Sequence, residues 1–155
     1  MPDVYRVPMD LKVPDEATSG YDALYGLEVI AADATTVRGV VPVRDELKQP
    51  AGLIHGGVYA SIAESLASLG TTSQVAPDGK MALGLASQTS FMRPITVGTI
   101  HAEANVLHRG RTTWVWDVRI SDDQGRLCAV TRMTVAVSDG RAGRARGRAD
   151  APPRH

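Results

Sequence analysis

The sequence predicts an α+β domain in which an antiparallel sheet wraps around one long apolar helix. Three observations predict it. Residues 56–75 are rich in alanine and repeat Val58, Ile62, Leu66 and Leu69 at spacings of three and four, the period of a helix. Four strand-like runs follow that segment, and two more precede it. A single apolar helix flanked in sequence by strands buries its surface best against a sheet that curls around it.

In chain order, residues 1–20 carry three prolines, scattered charges and no period, and are expected to form an irregular arm. The run LYGLEVIAA, residues 24–32, reads as a strand, and TTVRGVVPV, residues 35–43, as its hairpin partner. Pro42 marks the end of that second strand or places it at a sheet edge, because proline donates nothing to a ladder. Residues 44–54, with Pro50 and Gly52, form a loop. The helix spans Gly56 to Val75, and Pro77-Asp78-Gly79 ends it. The remaining strands cover about residues 81–93, 97–109, 112–121 and 127–138, with Ser121 to Arg126 as the turn between the last two. Trp114, Trp116, Val118 and Ile120 share one face of their strand, opposite Thr113, Val115, Asp117 and Arg119. Leu127, Ala129, Thr131, Met133, Val135 and Val137 likewise share a face. The domain is therefore residues 21–138. The tail, residues 139–155, holds five arginines among glycine and alanine and no large apolar residue, so it is expected to be flexible. It is either simply solvated or a contact for an anionic ligand.

A chain of 155 residues suits a single domain. Charged residues make up 22% and sum to zero net charge, so electrostatics gives no argument for a nucleic-acid or membrane partner. Cys128 is the one cysteine and has no intramolecular disulfide partner. The first ten residues include Asp3, Arg6 and Asp10 and lack the apolar core of a secretory signal. No apolar run approaches the roughly 20 residues that span a bilayer. The expectation is a soluble cytoplasmic protein.

Chemistry concentrates around the helix. Glu64 is the one charged side chain between His55 and Asp78. Either it is buried and put to use, because a lone buried carboxylate is costly, or it lies on a wet stripe with Ser61, Ser65, Ser68 and Thr72. The helix opens on His55-Gly56-Gly57. Its first amides have no intrahelical acceptor and lie at the positive end of the dipole, so two glycines there could serve a thioester oxyanion. They could equally just turn the chain into the helix. Gly56 and Glu64 are eight residues apart, about 12 Å along the axis. If both act on one carbonyl, they come from two subunits, and function implies at least a dimer.

Other candidates are weaker. No serine sits in a G-x-S-x-G elbow. Cys128 lies in a strand, where packing is the simpler role. The four histidines are dispersed without zinc spacing, and no phosphate loop or dinucleotide fingerprint is present. Trp114 and Trp116 serve core or subunit packing, or one ring borders an acyl pocket.

His55-Gly56-Gly57 followed nine positions after the histidine by Glu64 resembles the hotdog-fold acyl-CoA thioesterases. The resemblance covers roughly residues 21–138, carried by GLIHGGVYASIAE, TSFMRP, TTWVWDV and GRLCAV. Among that family it is nearest to the Arthrobacter-type 4-hydroxybenzoyl-CoA thioesterases, and Glu64 rather than aspartate matches the 4-hydroxybenzoyl-CoA and 1,4-dihydroxy-2-naphthoyl-CoA hydrolases. The resemblance implies a hotdog fold, no metal or cofactor beyond the CoA of the substrate, and a homotetramer built as a dimer of dimers. It implies that Glu64 is nucleophile or general base and that the Gly56 amide polarises the carbonyl. Gln49 would lie near the thioester, His55 would shape the helix start, and Ser68 would replace a threonine that positions water or the acyl ring. Gly57 and Arg93 would contact CoA, Arg93 through a phosphate, with Thr112 and Thr113 near the pantetheine or nucleotide. Arg111 stands where those enzymes carry a small hydroxylic residue. An aromatic acyl-CoA is the expected substrate, with a short or medium aliphatic chain as the alternative. A hydratase, or a non-catalytic acyl-CoA-binding module, are the rival functions.

Overall fold

The computed structural model describes residues 19–140. The proposed arm up to residue 18, and the tail from residue 141, lie outside the described residues. Elements run α1 (Tyr21–Tyr25), β1 (Glu28–Ala32), β2 (Thr36–Pro42), α2 (Gly56–Val75), β3 (Lys80–Phe91), β4 (Thr99–Arg109), β5 (Thr113–Ser121) and β6 (Leu127–Asp139). The six strands form one antiparallel sheet in the order β1-β2-β4-β5-β6-β3. Helix α2 lies against its inner face: this is the hotdog fold. No described helix is long and apolar enough to cross a membrane.

The apolar stripe read from the sequence becomes the packed face of α2. Tyr59, Ile62, Ala63, Leu66, Ala67 and Gly70 are buried there. The alternating residues of β5 and β6 meet them: Trp116, Val118, Ile120 and Val135 are fully buried. Gly70 lets the Trp116 indole lie directly on the helix, since a Cβ there would stand 2.5 Å from the ring. Trp116 Nε1 donates to Thr71 Oγ1 at 2.9 Å, and that hydroxyl donates to the Ala67 carbonyl. Trp114 stacks on Trp116, with centroids 6.2 Å apart. Both tryptophans are core residues.

The expected strand over residues 24–32 is corrected at its start. Leu24 belongs to α1, and β1 begins at Glu28. Gly26, at φ 82°, closes that helix by donating to the carbonyls of Asp22 and Ala23. Tyr21 and Tyr25, one turn apart, then reach across to α2, bonding Ser61 and Ser65. Tertiary contacts thus override the β preference of Leu-Tyr. Pro42 ends β2, which is an interior strand rather than an edge.

The edges of the sheet are β1 and β3. Strand β3 is long, pairs only with β6, and carries exposed Met81, Leu83 and Leu85. A bulge between Gly84 and Ala86 interrupts its ladder.

Candidate active site

His55 stands just before α2 in extended backbone and caps it: its Nδ1 accepts the Gly57 N–H at 2.9 Å. That bond satisfies one of the helix's orphan donors. The Gly56 N–H, at the first helical position, has no acceptor among the described residues. It is the amide left to meet a ligand at the positive end of the dipole.

Gly56 opens on a cleft of about 480 Å³ shared with Gln49, Tyr59, Phe91, Met92 and Arg93. Three elements converge on it: the loop before α2, the first turn of α2, and the end of β3. Gln49 is held by the tight turn in that loop, where its carbonyl accepts the Gly52 N–H and its own N–H bonds the Leu53 carbonyl. Gly52, at φ 83°, supplies the left-handed conformation. The Phe91 ring lies over Gly56, so a Cβ on Gly56 would fall 2.8 Å from it. The ring can pack there only because the residue has no side chain.

Glu64 sits elsewhere. It is exposed on α2 and lies against β3, 3.3 Å from where a Cβ on Gly84 would be. The glycine and the adjoining bulge make room for the carboxylate beside the sheet edge. Ser68, one turn on, is half-buried on the same side. Because Gly56 packs at Phe91 and Glu64 at Gly84, α2 runs antiparallel to β3. Thr112 and Thr113 lie on another strand, at about the same level as Glu64. Thr113 is level with Leu83 through Ala136, whereas Phe91 is level with Ile120 through Ala129. Seven steps along β5 separate those levels, about 23 Å.

The structure therefore brings Gln49, Gly56 and Arg93 together, with His55 and Gly57 behind them at the helix cap. It places Glu64 with Ser68 further along α2, and Thr112 with Thr113 at the opposite end of the sheet. Gly57 has its amide committed to His55. Cys128 is buried, and burial pushes its thiol up, which leaves it a poor nucleophile. No group of three potential metal ligands occurs among the described residues.

Both aromatic residues of the cleft are missing from the candidates read from the sequence. Phe91 lies inside the TSFMRP segment, two positions before Arg93. Tyr59 falls on the core-facing stripe of α2, where an aromatic reads as packing. Its position three residues after Gly56, on the same turn, is the signal that could have marked it.

Residues 51–129 match the thioesterase superfamily. The solved structure of a variant of thioesterase PA1618 from Pseudomonas aeruginosa superposes with a TM-score of 0.76 at 32% identity, covering 81% of this chain and 95% of that one. A thioesterase from Haemophilus influenzae gives 0.75 at 29% identity, covering 80% and 86%. A 1,4-dihydroxy-2-naphthoyl-CoA hydrolase of Listeria monocytogenes is 30% identical over 118 residues, 76% of this chain and 95% of that protein. The chain belongs to the thioesterase superfamily. It is a thioester hydrolase of the hotdog fold.

Proposed function

We propose that the protein hydrolyses an aromatic acyl-CoA to the free acid and CoA, at sites shared between two subunits. One observation carries this reading: the free Gly56 amide and the one carboxylate of α2 sit about 12 Å apart on a single helix, which runs alongside an unpartnered sheet edge. An exposed, apolar edge strand as long as β3 invites a second copy to pair with it. A twofold axis across β3 would reverse the partner's helix. Its Glu64, Thr112 and Thr113 would then approach the Gly56 cleft of the first subunit.

In that arrangement the thioester oxygen accepts the Gly56 N–H, and Gln49 borders the same carbonyl. Glu64 of the partner subunit either attacks the carbonyl carbon or takes a proton from the water that attacks it. The oxyanion collapses, the C–S bond breaks, and CoA leaves as its thiolate. Where Glu64 itself attacked, water then cleaves the acyl–Glu64 anhydride, releasing the free acid and restoring the carboxylate. Arg93, exposed at the rim, offers a cation to a CoA phosphate. No metal is required, because the amide supplies the electrophilic assistance. Two structures of a Staphylococcus aureus protein of this fold, about 30% identical, carry a glutamine-to-alanine and a glutamate-to-alanine change. Their separation along that chain equals that of Gln49 and Glu64 here.

The Listeria relative favours a 1,4-dihydroxy-2-naphthoyl group as the second reading of the substrate, beside 4-hydroxybenzoyl. The test is thiol release from benzoyl, hydroxybenzoyl, dihydroxynaphthoyl, phenylacetyl and aliphatic CoA esters by the wild type and Glu64→Gln. Glu64 is exposed in the protomer, so the variant should fold with an unchanged Tm. Its kcat should fall about 10²- to 10⁴-fold. Near-normal turnover by Glu64→Gln on every ester that the wild type cleaves would overturn the catalytic assignment.

A further inference from the structure

Among the described residues, one buried side-chain polar atom has no hydrogen-bond partner: Tyr59 Oη. Native interiors leave few such atoms, and each calls for a cause. The other buried hydroxyls are paired. Thr71 bonds Ala67 and Trp116, Thr131 bonds Thr89, and Tyr25 bonds Asp22 and Ser65.

Tyr59 is 3% exposed, yet it lines the cleft onto which Gly56 opens. Its oxygen faces the Ile95 backbone N–H, from which it can accept, but its O–H has no acceptor; Pro94, next to Ile95, lines the same cleft. Burial pushes the phenol up to about 12, so it stays protonated, and able to donate, at neutral pH. Beside it the Phe91 ring stands 6.2 Å away, tilted by 36°. That ring is 59% exposed at the end of an edge strand and lines the same cleft. Apart from Gln49 and Arg93, the side chains around the cleft are apolar.

We propose that Tyr59 is a specificity-determining residue, whose hydroxyl completes its hydrogen bond with an oxygen on the ring of an aromatic acyl group. The cleft then selects hydroxylated aryl thioesters over same-shaped ones without the hydroxyl. A site that holds a polar group for the substrate rejects the analogue that leaves it unpaired. This inference rests on reading the cleft as the acyl-CoA site.

The experiment compares wild type and Tyr59→Phe on benzoyl-CoA and its ortho, meta and para hydroxy derivatives. It reads kcat/KM for each, together with Tm. For the wild type, at least one hydroxylated isomer should exceed benzoyl-CoA. In Tyr59→Phe that preference should fall about tenfold, with benzoyl-CoA turnover retained. Because the O–H has no internal acceptor, Tm should hold. Unchanged preference in Tyr59→Phe would overturn the proposal, as would a markedly lowered Tm, which would reveal an internal acceptor for the O–H. A wild type that hydrolyses CoA esters without any such preference overturns the proposal alone. One that hydrolyses none of a full acyl series overturns the acyl-CoA reading as well.

Discussion

His55 caps α2 through Nδ1, and that one bond gives the two following glycines different work. Gly57 contributes its amide to the cap, whereas the Gly56 amide has no acceptor among the described residues. A side chain at Gly56 would meet the Phe91 ring, so the absence of a Cβ is what lets that ring lie against the start of α2. Elsewhere single carboxylates fix turns. Asp122 accepts from the Arg126 side chain and from the Gln124 and Arg126 amides in the β5–β6 turn, and the Arg126 side chain foremost holds its pKa below the ordinary value. Asp33 is held low chiefly by the Thr35 amide, and Glu103 chiefly by Asn105 with help from Arg38. All three bind their protons less tightly folded than unfolded. Their stabilisation is complete above the unfolded carboxylate value of about 4 and is lost as pH falls through the lower folded values. The Tm should therefore stay level with respect to these groups from neutral pH down to about 4 and then fall. Asp122→Asn should flatten that acid limb, as followed by thermal melts across pH. The shared legibility of these residues differs. Gly56, His55 and Glu64 stood out from their neighbours in type and spacing. Tyr59 and Phe91 looked like ordinary apolar residues, because a missing hydrogen bond is a property of surroundings.

Helix α2 has two unlike sides. One buries Ile62, Leu66 and Gly70 against the curled sheet, and the other leaves Glu64 and Thr72 exposed beside β3. The close approach at Gly70 depends on Trp116, which is fully buried and anchored by its bond to Thr71. Gly70→Ala would set a methyl 2.5 Å from the indole and 2.9 Å from Val37. Neither neighbour can retreat without moving the core. The substitution should cost about 1–3 kcal/mol, read as a lowered denaturation midpoint, despite alanine's better helix propensity. At this scale the helix bounds and five of the six strands were legible, since their periods of 3.6 and 2 persist over many residues. The segment around Leu24 was not. Five residues carry too little periodicity, and the contacts of Tyr21 and Tyr25 with α2 decide its shape.

In a single protomer the proposed groups lie in separate places: the Gly56 cleft at one end, with Glu64 on α2 and Thr112 and Thr113 at the start of β5 at the level of Leu83 and Gly84. A twofold pairing of β3 edges would unite them, and subunit mixing tests it directly. Gly56→Pro removes the amide hydrogen at a position that suits proline and crowds the exposed Phe91 ring, which must turn aside, and Glu64→Gln removes the carboxylate. Each variant alone should be nearly inactive. After random exchange, half of the dimers are mixed, and each mixed dimer has one intact site. Mixing equal amounts should thus restore about a quarter of wild-type activity. No recovery after confirmed exchange would place both groups of a site in one subunit.

The sequence by itself determined the long buried helix and the strands around it, which follow from local period. Its resemblance to hotdog thioesterases is what singled out the side chains that could carry thioester chemistry. Only the tertiary structure decided that Gly57 is spent on a cap, that Glu64 faces an open sheet edge, and that Thr112 and Thr113 stand far from Arg93. It alone revealed the unpaired phenol of Tyr59. Distances between elements depend on how the sheet curls around α2, and no spacing along one chain encodes them.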